Sequence, residues 1–76
     1  MSGYLTLEEA AALVRCSRRT LHERARRGEV PHRRLPGLRR LLFRADELAA
    51  WLDGAPLERV ELPGGGRIVR PVEDGS

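Results

Sequence analysis

Seventy-six residues make a chain of 8.5 kDa, enough for one small core and too little for a deep cleft between two subdomains. Fourteen Arg and no Lys stand against eleven acidic residues, giving +3 and a pI near 10.4. One Cys excludes an internal disulfide framework, no apolar run nears the ~20 residues of a membrane span, and no basic-then-apolar leader opens the chain. The expectation is a soluble, cytoplasmic protein.

An all-Arg count has a bland origin in GC-rich coding, so position says more than number. Residues 15–44 hold eleven of the fourteen Arg against Glu23 and Glu29 alone, a local +9. The flanking segments are acidic. A block of one sign points to a polyanionic partner.

In chain order, Thr6-Leu7-Glu8-Glu9 reads as a capping box, with Thr6 and Glu9 satisfying each other's backbone N–H groups. Leu7, Ala10, Ala11 and Val14 then recur at helical spacing, with Leu13 widening the stripe. Arg15-Cys16-Ser17 interrupts, and Ser17 caps a second helix predicted over 18–27. Gly28 stands where a left-handed residue ends it. Two short helices joined by three residues match a helix-turn-helix, in which the second helix presents its outer face. Leu21 and Ala25 point inward; Arg18, Arg19, His22, Glu23 and Arg26 point out, long enough to reach base edges in a major groove.

Pro36-Gly37 marks a turn between extended runs at 30–35 and 38–43. The resulting two-stranded hairpin carries Arg33, Arg34, Arg39 and Arg40 beside its tip, the makings of a basic wing that lies along phosphates or enters a minor groove. A third helix is expected at 45–53, with Asp46 and Glu47 in its first turn and Leu48, Trp51 and Leu52 on its buried face. Beyond Gly54, a second hairpin is expected around Pro63-Gly64-Gly65-Gly66. A lone hairpin is marginal in water, so it must dock or fray. Glu73–Ser76 reads as a solvated end. The expected organisation is a helix-turn-helix domain over 4–54 and an extension over 55–76, hairpin or flexible tail.

Tyr4-Leu5-Thr6-Leu7-Glu8-Glu9-Ala10-Ala11, Ser17-Arg18-Arg19-Thr20-Leu21 and Arg27-Gly28-Glu29-Val30-Pro31 resemble the excisionase-type (MerR-like) helix-turn-helix family. Gly37, Arg39-Arg40, Phe43, Leu48 and Trp51-Leu52 continue the pattern in register over about residues 4–53. The resemblance implies a small α+β fold, mainly α: a winged helix-turn-helix with a two-stranded basic wing and a third helix. It also implies DNA binding without enzymatic chemistry. Members act as recombination directionality factors beside an integrase, or as small transcriptional regulators of mobile elements. The sequence departs from the family at Arg15, where Gly is frequent in the inter-helix turn. It departs again at Arg24, where a large apolar residue commonly packs; snorkelling along the alkyl stem is favoured over an added DNA contact.

Other chemistries find little support. Cys16, His22 and His32 fit no zinc spacing, so no metal is expected, and Cys16 reads as a small core residue. The glycines at 64–66 lack the Lys-Ser/Thr and following helix of a phosphate loop. No enzyme and no cofactor are expected. The candidate DNA-contact set is Ser17, Arg18, Arg19, Thr20, His22, Glu23, Arg26, Arg33, Arg34, Arg39 and Arg40, with Ser17 and Thr20 chiefly caps. Because Asn and Gln are absent, Arg to guanine and Glu23 to cytosine predict G·C reading. Binding as a monomer calls for adjacent copies or an integrase partner. The alternative is an adaptor or antitoxin-like module that holds a protein through residues 55–76.

Overall fold

Helix α1 spans Leu7–Val14, α2 Arg18–Arg26 and α3 Ala45–Leu52; strands are β1 His32–Arg34, β2 Leu57–Glu61 and β3 Arg67–Pro71. The computed structural model describes residues 3–72, so the expectation for Glu73–Ser76 lies outside it.

The capping box forms: Thr6 Oγ1 accepts from the Glu9 N–H at 3.1 Å, and Glu9 Oε1 accepts from the Thr6 N–H at 2.9 Å. All three helices then end in the same way. After α1 the Arg15 N–H donates to the Ala12 carbonyl and the Cys16 N–H to that of Ala11. After α2 the pairs are Gly28 to Ala25 and Glu29 to Arg24; after α3 they are Gly54 to Trp51 and Ala55 to Ala50. This is the Schellman arrangement, and it needs a left-handed residue at its centre. Gly28 (φ 76°) and Gly54 (φ 99°) supply it without strain, whereas α1 uses Arg15 (φ 60°). A side chain there costs about 1–2 kcal/mol. The left-handed geometry explains why glycine is the frequent choice at this turn.

The core gathers Ala10 and Ala11 of α1, Leu21 and Ala25 of α2, Val30, Phe43 and Leu48. Helix α2 contributes only two apolar side chains, so its neighbours hold it in place. Phe43 is the largest buried side chain, and truncating it to Ala is expected to cost about 3–5 kcal/mol. Two expected core residues are exposed instead: Leu13 at 48% and Leu52 at 57%. Each lies on the flank of its helix, away from the residues that meet the centre, Ala10 and Ala11 in α1 and Leu48 with Trp51 in α3.

The wing differs from expectation. The two-stranded hairpin of 30–35 with 38–43 shrinks to one bridge, Arg33 to Leu42, with N···O distances of 2.8 and 3.0 Å. Phe43 is drawn into the core and its backbone pairs with Leu5 rather than across the wing. Leu38, Arg39 and Arg40 are all exposed and give the return run no apolar alternation to hold a ladder. The turn itself is as expected, with the Leu38 N–H donating to the Leu35 carbonyl at 3.1 Å and Gly37 at φ 85°.

Strand β1 finds its main partner elsewhere. The expected second hairpin forms as β2 and β3, and β3 adds to β1, giving an antiparallel sheet of order β1-β3-β2. Its turn rests on the wing base: a Cβ on Gly66 would lie 2.5 Å from the Arg34 carbonyl oxygen and 2.7 Å from Pro36 Cδ. Only glycine permits that approach. The result is a small α+β winged helix-turn-helix with a three-stranded sheet.

Candidate nucleic-acid interface

Helix α2 is set by Ser17, whose Oγ accepts from the Thr20 N–H at 3.1 Å and donates to Thr20 Oγ1 at 2.9 Å. Both hydroxyls serve the cap, as the sequence predicts. With Leu21 and Ala25 fully buried, Arg18, Arg19, His22, Glu23 and Arg26 are all exposed on the opposite side. Arg18 reaches back to Glu8 of α1 at 2.5 Å, and Arg19 lies 3.8 Å from Glu23. Both pairs are solvent-exposed, so each contributes about 0–1 kcal/mol and yields readily to a phosphate. Arg24 is exposed.

A groove of about 450 Å³ runs between α2 and the wing loop, lined by Tyr4 to Glu8, by Arg18 and His22, and by Arg39 to Leu42. Here the structure brings four predicted contact residues together: Arg18 and His22 from α2, Arg39 and Arg40 from the loop. Glu8 is the one acid among its lining residues. A concave, basic strip next to a projecting helix face has the shape and charge that suit a sugar–phosphate backbone.

Two predicted wing residues lie elsewhere. Arg33 turns inward: it donates to Glu47 Oε2 at 2.5 Å and to the Tyr4 hydroxyl at 3.0 Å, with the pair only 15% and 13% exposed. Its guanidinium ties β1 to α3 and the N-terminal segment. The sequence shows no sign of this, because Glu47 stands fourteen residues away. Arg34 is exposed but stands on the sheet, opposite Arg67.

Arg67 and its neighbour His32 were not among the predicted contacts. His32 is fully buried; its Nδ1 lies 2.8 Å from the Val30 carbonyl, and Arg67 Nε donates to Nε2 at 3.1 Å. That geometry requires a neutral ring with its proton on Nδ1. Burial pushes the imidazole below its usual 6.5; the Val30 bond opposes this, while Arg67, Arg59 and Arg34 add to it. Arg67 also donates to the Ala25 and Arg26 carbonyls at 3.1 and 3.2 Å, capping the C-terminal end of α2. A cation there complements the helix dipole. The hairpin thus helps to position α2. Alternation in Arg67-Ile68-Val69 was the available signal, placing Arg67 on the face of the buried Val69.

Cys16 is half-buried against the core. Among the described residues no three His, Cys, Asp or Glu gather as metal ligands, and no helix is long and apolar enough to cross a membrane.

A helix-turn-helix domain family matches residues 4–56, well over half of the chain and all three helices. The chain belongs to the helix-turn-helix domain family. Such domains bind DNA, and α2 is the helix that the fold presents. The match ends just before β2, so the β2–β3 hairpin lies outside the matched range. No curated protein and no solved structure is a significant match to the chain.

Proposed function

We propose that this helix-turn-helix protein reads double-stranded DNA sequence-specifically and acts without catalysis, as an excisionase-type directionality factor or a small transcriptional regulator. Helix α2 enters a major groove, and the loop around Arg39 and Arg40 lies on the adjoining backbone or minor groove. The observation that carries the reading is the groove uniting Arg18, His22, Arg39 and Arg40 beside an α2 face with no apolar residue. Arginine contacts neutralise phosphates and release counterions. With one short reading helix, useful occupancy calls for neighbouring copies or an integrase on the same DNA.

The reading face offers Arg, His and Glu but no Asn or Gln, and therefore favours G·C pairs. Selection of sites from a random duplex pool tests this. Enrichment of a G·C-containing core that Arg19→Ala relaxes is the expected result. No enrichment, or an A·T-only core under α2, would overturn the reading.

A further inference from the structure

One face of the sheet carries a row of arginines with a single acid among them. In β1-β3-β2 register, Arg34 stands directly opposite Arg67, and Arg67 opposite Glu61. His32, Val69 and Arg59 form the next rung on the same face. One face of the sheet therefore holds Arg34, Arg59 and Arg67 against Glu61 alone. Like charges directly opposite on neighbouring strands are destabilising. The reverse face shows the ordinary solution, where Arg70 meets Glu58 at 2.6 Å across the same two strands.

This face adjoins the reading helix. Arg67 is tied to the last carbonyls of α2. The Arg59 guanidinium comes within 3.8 Å of where a Cβ on Gly28 would lie, just past the end of that helix. Arg26 and Arg27, both exposed, continue the positive charge along α2 itself. Arg59 and Glu61 touch at 3.3 Å but remain 51% and 72% exposed, so their pairing is weak and exchangeable. Arg67 is held lower than an ordinary guanidinium by burial first, then by Arg59 and Arg34. It serves as the anchor of the row, with Arg34 and Arg59 as its exposed members.

We infer that Arg34 and Arg59, carried on the sheet that the C-terminal hairpin completes, form a second phosphate-contact surface that grips DNA backbone beyond the end of α2. The inference rests on the DNA-binding reading above. It assigns to the β2–β3 hairpin a direct part in binding, and makes Glu61 the acid that phosphate displaces from Arg59. The contact is with the backbone, so it adds affinity without altering sequence preference.

Fluorescence anisotropy on a duplex extending about one helical turn (~10 bp) past the selected site on each side tests it, read against salt with the full chain. Arg59→Gln and Arg34→Gln should each flatten the slope of log affinity on log salt by about 0.9, the amount that one neutralised phosphate contributes. Arg59→Lys should keep the wild-type slope, and Glu61→Gln should tighten binding. Thermal melts confirm that each variant is folded. If Arg19→Ala and Arg39→Ala weaken binding while Arg59→Gln and Arg34→Gln leave the slope unchanged, the second surface is refuted and the reading of α2 stands. If none of the four has an effect, both fall.

Discussion

Two grooves of this small molecule are lined with arginine, and they treat it in opposite ways. The groove beside α3, about 970 Å³, holds Arg33, Arg44 and Arg70 among four acids. There every guanidinium has a carboxylate: Arg33 with Glu47, Arg44 with Asp46, Arg70 with Glu58. The groove beside α2 holds Arg18, Arg39 and Arg40 with Glu8 alone. Among the described residues, Arg39 and Arg40 have no acidic partner within salt-bridge distance, and only Arg18 has one, Glu8. Arginine content by itself therefore locates nothing here. Under the proposed DNA-binding reading, the surface for phosphate is the one from which the chain withholds its acids.

The sharpest way to break the comparison is to remove an acid from the α3 groove. Glu47→Ala leaves the Arg33 guanidinium nearly buried without its counter-charge and should destabilise the fold by about 3 kcal/mol. Arg39→Ala should stay within about 0.5 kcal/mol of wild type, because it removes an exposed, unpaired side chain. Urea denaturation of both variants measures the contrast. Comparable losses would mean that the two sets of arginines do the same structural work.

Binding should show the reverse order. Arg19→Ala, on the outer face of α2, is expected to cost about 1–3 kcal/mol of affinity for a selected site and to relax preference at one position. Its melting temperature should barely change. Titration against matched and mismatched duplexes separates lost base reading from lost charge.

The turn that launches α2 offers a gain of stability. Arg15→Gly relieves the left-handed side chain at φ 60° and should stabilise by about 1 kcal/mol, less the added freedom that glycine gives the unfolded chain. A drop in stability would mean that the arginine side chain contributes more than its backbone costs.

A gentler effect follows pH through His32. Its folded value lies below 6.5, so the unfolded chain binds the extra proton first as acid is added. The stability this residue contributes is complete above about pH 6.5 and declines as pH falls toward the folded value. Protonation also ends the ring's ability to accept from Arg67, loosening the cap on α2. Melts across mildly acidic pH should show this decline, and His32→Gln should flatten it. An identical decline in the variant would place the sensitivity elsewhere.

The helices were readable because their signals are local: Thr6 with Glu9, Ser17 before α2, Gly28 and Gly54 at the exits. The outward set on α2 followed from the spacing of Leu21 and Ala25. The wing was not readable in detail, because its pairing is decided by distant partners. Phe43 joins the core and bonds Leu5, and β1 takes β3 from more than thirty residues away. Arg33 illustrates the same limit: its alternation on β1 places it beside α3, where Glu47 waits, and nothing near it in sequence announces that acid. The apolar residues Leu13 and Leu52 misled for the converse reason, since helical spacing marks a stripe but not how far the core extends around it.

Arg39 and Arg40, unpaired beside α2, are expected to meet phosphate, while the paired arginines beside α3 are not. The most direct measurement is the salt dependence of duplex binding for Arg39→Ala and Arg70→Ala beside wild type. Each removes one exposed positive charge, so net charge is held equal between the variants. Arg39→Ala should flatten the slope of log affinity on log salt by about 0.9, and Arg70→Ala should leave it unchanged. Equal flattening by both, or flattening by Arg70→Ala alone, would contradict it.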